Sequence, residues 1–213
     1  MSETLDDYIL DHITAEHPYL RRLYRATNLQ LIRPRMASGH LQGQLLKMLC
    51  ELIAPKTVVE IGTYSGYSAL AMASGMPEGS RLITFEINDE QEDFTRPWLE
   101  GSPWSKSVNI EMVIGDIRTL LPAMNLNIDL VFMDANKRDY CEYFDLVMPL
   151  LNVGGYIIAD NTLWDGHVVE TERQDPQTVG IRAFNDKIAA DHRVENVILP
   201  IRDGLTLIRK KSS

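Results

Sequence analysis

Val58-Val59-Glu60-Ile61-Gly62-Thr63-Tyr64-Ser65-Gly66-Tyr67-Ser68 reads as a strand, a tight glycine loop and the start of a helix. Glycines at this place let the backbone approach a ligand at the carboxyl end of a strand. A dinucleotide fingerprint needs glycine at position 64, where a pyrophosphate comes close, and Tyr64 stands there instead. A P-loop needs lysine after its last glycine, and Gly66-Tyr67-Ser68 has none. Glu60 argues further against phosphate, because a carboxylate at that strand end repels an anion and suits a cation. Taken alone, the loop is equally readable as an ordinary strand–helix turn.

Outward from this loop, short β-branched runs alternate with helical patterns, as in a parallel sheet covered by helices. The candidate strands are 57–61, 81–86, 108–114, 128–134 and 155–160, followed by 194–200 and 204–209. Asp203-Gly204 is a turn dipeptide suited to an antiparallel hairpin between the last two. Parallel strands cannot be joined so tightly, so the sheet is expected to close with one antiparallel strand. Ahead of the sheet, helical patterns cover about 3–15, 17–30 and 39–53. In the third, Leu41, Leu45, Leu49 and Leu52 mark one buried face, Ser38 is placed to cap the start and Pro55 to end it. A single domain over 1–213 is expected, with 1–35 as a helical lid or oligomer segment and 36–213 as a catalytic core.

With 45% apolar and 24% charged residues, the 213-residue chain has the profile of a soluble globular protein. A formal net charge of −9 makes nucleic acid a poor default partner. The acidic N-terminus has no basic or apolar signal region, and no apolar run approaches membrane-spanning length, so a cytoplasmic location away from any membrane is expected. Cys50 and Cys141 lie in apolar periodic segments and read as buried free thiols.

Acids recur at successive strand ends. Glu86 closes the second strand, where such residues hold ribose hydroxyls, and Asp116 follows the third, on the adenine side. With Glu60 they suit S-adenosylmethionine (SAM), which carries an ammonium and a sulfonium as well as a nucleoside. Asp134 and Asp160-Asn161 end two further strands and converge if those strands are neighbours. Two carboxylates and an amide, without thiol or imidazole, suit Mg²⁺, Mn²⁺ or Ca²⁺ rather than zinc. Lys137, one turn beyond Asp134, is a candidate base. The plain alternative is a pair of strand-end acids, an asparagine in a turn and a surface lysine.

Val59–Ser68, Phe132-Met133-Asp134-Ala135-Asn136-Lys137 and Ala159-Asp160-Asn161-Thr162-Leu163-Trp164-Asp165-Gly166 together resemble the cation-dependent caffeoyl-CoA and catechol O-methyltransferases. Gly43-Gln44-Leu45-Leu46, Ile181–Asn185 and Leu199–Leu205 extend the resemblance, which covers about 30–210 and is closer to the caffeoyl-CoA-like branch with its bacterial members. It implies a doubly wound, mostly parallel seven-stranded sheet (the Rossmann-like methyltransferase fold) with N-terminal helices, and usually a homodimer. By position it implies Asp134, Asp160 and Asn161 as metal ligands and Lys137 as base. Glu60, Gly62, Thr63 and Ser68 match residues at the methionine end of SAM, with Asp134 also near its ammonium. Glu86 matches the ribose ligand, Asp116 and Ile117 the adenine turn, Met36 and Ser38 the segment closing over the methyl donor. Trp164 and Asp165 match acceptor-facing positions. The resemblance implies methyl transfer from SAM to a hydroxyl of a small aromatic diol.

Two departures bear on this. The family's common Asp-Ala-Asp-Lys is here Asp134-Ala135-Asn136-Lys137, and Asp165 replaces an asparagine that contacts acceptor in plant members. His40 and His167 read as rim residues rather than bases. The rival readings are the same chemistry on a hydroxylated transfer-RNA base, and a SAM-binding protein without catalysis. Mixed charge around 170–175 disfavours the first, and the intact acid–lysine set disfavours the second.

Overall fold

The computed structural model describes residues 4–212. Seven strands form one sheet in the order β3-β2-β1-β4-β5-β7-β6. They are β1 (Thr57–Ile61), β2 (Arg81–Glu86), β3 (Asn109–Ile114), β4 (Ile128–Met133), β5 (Leu151–Asp160), β6 (Val194–Leu199) and β7 (Leu205–Lys210). β1 to β5 pair in parallel, and β7 alone runs antiparallel to both its neighbours. The chain order reverses beside β1, so the carboxyl ends of β1, β2 and β4 open on one crevice, where ligands bind in sheets of this kind.

The inner strands are apolar on both sides because helices cover both faces. Val58, Leu82, Leu130, Phe132 and Ile158 pack under α3 (Gly39–Ile53), α4 (Tyr67–Ala73) and α5 (Glu92–Glu100). Val59, Ile61, Val131, Met133 and Ile157 pack against α7 (Tyr140–Val147) and α8 (Pro176–Ala190). The remaining α-helices among the described residues are α1 (Leu5–His12), α2 (Pro18–Gln30) and the short α6 (Ile117–Leu120). α1 is held by a Thr4–Asp7 capping box and buries none of its residues. No described helix is long and apolar enough to cross a membrane.

Several expectations need correction. The helix expected over 3–15 is described only from residue 5 and ends at 12, and residue 3 lies outside the described part. In α3 the buried line is Gln42, Gly43, Leu46 and Cys50, while Leu52 is 80% exposed. Leu45 and Leu49 do pack against the core beside this line, partly buried, but its centre holds a polar and a side-chain-free residue that counting leucines misses. Ser38 makes no side-chain cap; its backbone is already helical. The helix ends on left-handed Ala54, ahead of Pro55. The β6–β7 connection is the five-residue loop 200–204 rather than a two-residue turn, with Gly204 N–H donating to Ile201 O at 2.9 Å. Cys50 is buried, its thiol pushed up to about 12 by loss of solvent, but Cys141 is only half-buried.

Candidate active site

A cleft of about 1440 Å³ opens at the carboxyl ends of the strands. That exceeds the roughly 300–1,000 Å³ of an ordinary small-molecule pocket and leaves room for two ligands side by side. Met36, Ser38, Gly62, Thr63, Ser68, Glu86, Asp116 and Ile117 line it. Asp134, Lys137, Asp160, Asn161 and Trp164 line it too. Glu60 and Asp165 are not on its wall.

The glycine loop fits between strand ends. Gly62 adopts φ +98°, and a Cβ there would lie 2.3 Å from the Asp134 carbonyl oxygen. Gly62→Ala should therefore cost about 2–4 kcal/mol and displace Asp134 with the loop. Denaturant unfolding would show it, and an unchanged midpoint would contradict the close approach. Tyr64 keeps a left-handed backbone, φ +46°, despite its side chain. Its N–H donates to Glu86 Oε2 at 2.8 Å, while Asn88 N–H donates to Glu86 Oε1 at 2.9 Å. Glu86 thus ties the loop to the end of β2, and each oxygen retains a lone pair for a ligand hydroxyl.

Glu60 is wholly buried beneath the loop. Ser68 Oγ donates to its Oε1 at 2.6 Å and Thr84 Oγ1 to its Oε2 at 2.5 Å, with Thr63 Oγ1 2.5 Å from Thr84 Oγ1. The carboxyl therefore reaches the cleft through Ser68 directly and through Thr84 by way of Thr63. Burial pushes its pKa up to about 8 against the two hydroxyl bonds, and the charges of Asp134 and Glu86 add to the rise. Asp116 caps α6 through Arg118 N–H and is forked to the Arg118 guanidinium, which holds its carboxyl below the usual range.

At the other end, Asp134 follows β4 and Asp160 ends β5. Lys137 is 8% exposed, and its Nζ donates to Asp134 Oδ1 at 2.6 Å and Tyr140 Oη at 2.9 Å. Asp160 accepts from Asn161 N–H at 2.7 Å and from Gln42 Nε2 at 2.6 Å. Burial, then the Asp134 charge, raises the Asp160 carboxyl. Asn161 has φ +58°, Trp164 +48° and Asp165 +52°, so left-handed non-glycine backbone gathers at this rim. Such strain persists where surrounding structure imposes it, as at binding sites.

The profile of the O-methyltransferase family matches residues 10–211. The chain belongs to this family. It is 34% identical over 212 residues to caffeoyl-CoA O-methyltransferase 1 of Zea mays, covering 94% of this chain and 76% of that protein. It is 32% identical to a catechol O-methyltransferase domain-containing protein of Mus musculus, over 95% and 78% of the two chains. The solved O-methyltransferase of Bacillus cereus, in complex with SAH, superposes with a TM-score of 0.89 at 27% identity, over 97% of each chain. The chain is accordingly an O-methyltransferase enzyme of the caffeoyl-CoA type.

In this methyltransferase several site-building residues escaped the sequence reading. Tyr140 is wholly buried, accepts from Lys137 and stands 3.0 Å from both Met133 O and Asp160 O, so one hydroxyl joins Lys137 to two strand ends. Its spacing of three from Lys137 was the only signal. Gly180 of α8 lets that helix press on the Lys137 backbone: a Cβ there would stand 2.6 Å from Lys137 O. Arg182 holds the carbonyls of His167, Val168, Glu170 and Arg173, fixing the loop behind Trp164. Asp203 lines the cleft, and its carboxyl is raised by burial and by the adjacent Asp165 carboxyl. Asp165 is thus turned to another acid. Asn136 donates to Asp139 Oδ2 at 2.8 Å, a turn bond that a carboxylate could not make. His40 and His167 lie off the cleft and contact Thr14 O and Glu170.

Proposed function

We propose that this methyltransferase transfers a methyl group from SAM to one hydroxyl of a small catechol-like diol held by a divalent cation, Mg²⁺ or alternatively Mn²⁺ or Ca²⁺. The observation that carries the reading is the convergence of Asp134, Asp160, Asn161 and Lys137 on one cleft wall. The donor set fits a hard cation: two carboxylates and an amide oxygen, with no thiol or imidazole among them. Among the described residues only the Asn161 amide nitrogen is engaged, weakly, 3.5 Å from Asp203 Oδ2, so its oxygen is available. Each Asp160 oxygen keeps a lone pair beyond the bonds it accepts. Burial and, after it, the Asp134 charge raise the Asp160 carboxyl, and a cation beside the two acids would offset that second cause.

When bound, the cation would lower the pKa of an acceptor hydroxyl, and SAM would supply the methyl group. Asp134, Asp160 and Asn161 would hold the cation, and Lys137 Nζ, as the neutral amine, would take the hydroxyl proton on its free electron pair. Asp134 Oδ1 and Tyr140 Oη keep that nitrogen in place. Thr63 and Ser68, set on buried Glu60, face the methionine end of the donor, and Glu86 its ribose. Asp116 and Ile117 border the adenine, while Met36 and Ser38 close over the donor. Trp164 walls the acceptor. No group on the protein is alkylated, so catalysis rests on positioning and charge. We read residues 1–35 as a lid or oligomer segment on a single domain, and the enzyme as a cytoplasmic homodimer acting on free diols rather than on nucleic acid.

Methyl transfer to caffeate should appear with Mg²⁺ and vanish with EDTA, and Asp160→Ala should abolish the metal-stimulated rate. EDTA-insensitive turnover, or an active Asp160→Ala enzyme at the same Mg²⁺ concentration, would overturn the ligand assignment.

A further inference from the structure

Gln42 is a polar residue on the buried face of α3, 1% exposed, and its amide is engaged at both ends. Nε2 donates to Asp160 Oδ2 at 2.6 Å, and Oε1 accepts from Arg202 Nη1 at 3.0 Å. The same Nη1 faces the carbonyls of Ala37, at 3.4 Å, and Ser38, both in the segment read as closing over the methyl donor. Arg202 projects from the β6–β7 loop with φ +50° and forms no ion pair with the described residues. Its guanidinium is oriented by neutral oxygens.

The chemistry of the amide explains its place. A carboxylate only accepts and a guanidinium only donates, so a glutamine joins them with one end doing each. Direct contact would let the guanidinium compete with a cation for Asp160. The amide passes on position without adding charge.

We propose that Gln42 and Arg202 are positioning residues that couple the 36–38 segment to the Asp160 carboxylate, so that donor-site occupancy and cation affinity rise together. This rests on Asp160 being a cation ligand. A ligand beneath residues 36–38 orders the two carbonyls, these orient Arg202, and Arg202 holds Gln42 against Asp160. Coupling of this kind is reciprocal and typically about 5–150-fold.

Mn²⁺ binding to the full chain, followed by the electron paramagnetic resonance of free Mn²⁺ with and without S-adenosylhomocysteine, tests it. In the wild type the nucleoside should tighten Mn²⁺ at least about fivefold. Gln42→Leu should weaken Mn²⁺ about tenfold or more, as loss of a ligand's supporting bond does. Arg202→Met, at an exposed loop position where folding should survive, should reduce the enhancement to less than about twofold. The double variant should bind Mn²⁺ no more weakly than Gln42→Leu alone, the signature of one shared path. Wild-type enhancement retained in Arg202→Met at an unchanged melting temperature would overturn the coupling while leaving the cation reading intact. So would wild-type Mn²⁺ binding indifferent to the nucleoside. A wild type that binds no Mn²⁺ would overturn both.

Discussion

Lys137→Met is expected to lower kcat by about 10²–10⁴-fold while leaving SAM affinity within about twofold. Methionine matches the lysine stem and fills the same buried space, so the loss should be one of proton transfer rather than of folding. The structure sharpens the experiment, because Lys137 also pairs with Asp134 at 2.6 Å and could act through charge alone. Lys137→Arg separates the two roles. Arginine keeps the charge and the ion pair but stays protonated at any working pH. A proton-accepting lysine requires both variants to be inactive, measured as single-turnover rates at saturating cation. An arginine variant within about tenfold of wild type would make Lys137 an electrostatic residue and leave the proton to solvent.

Glu60→Gln should change how stability responds to pH. Burial pushes the folded carboxyl up to about 8, against 4.5 for a solvated glutamate. Between these values the unfolded chain has released a proton that the folded chain still holds, so stability falls as pH rises through that window. A shift of this size corresponds to a loss on the order of 5 kcal/mol across the range. Glutamine cannot ionise, so its variant should lack this slope and match or exceed the wild type near pH 8. Urea midpoints across pH 5 to 9 would read it, and parallel slopes would refute the buried protonated acid. The same logic links Glu60 to the proposed donor. A cationic ligand near this carboxyl favours its ionised form, so SAM binding near pH 7 should release a proton. Calorimetry in buffers of different ionisation enthalpy would detect the release, which should be absent in Glu60→Gln.

Much of the fold was legible because its determinants are local. Parallel strands buried on both faces leave apolar runs such as Leu130-Val131-Phe132-Met133, and the reversed β7 follows from the short β6–β7 connection. The acids at strand ends were legible for the same reason: if the strands are neighbours, their carboxyl ends share an edge. What a single face of α3 buries was not legible. Leu41, Leu45, Leu49 and Leu52 satisfy the helical period as well as Gln42, Leu46 and Cys50 do. A glutamine is buried only because Asp160 and Arg202, more than 100 residues away in the chain, meet both ends of its amide.

The sequence by itself determined a largely parallel α/β sheet, the glycine loop after its first strand, and the acids and lysine at the strand ends. Those features depend on periodicity, on glycine backbone and on residues next to one another in the chain. Tertiary structure decided which of these groups touch the cleft. It buried Glu60 beneath Ser68 and Thr84, turned Asp165 onto Asp203, and set Lys137 on Tyr140 under Gly180. Each outcome depends on partners from distant segments, and on burial that only packing creates. Desolvation and long-range hydrogen bonds therefore set the chemistry of residues whose identity alone left several roles open.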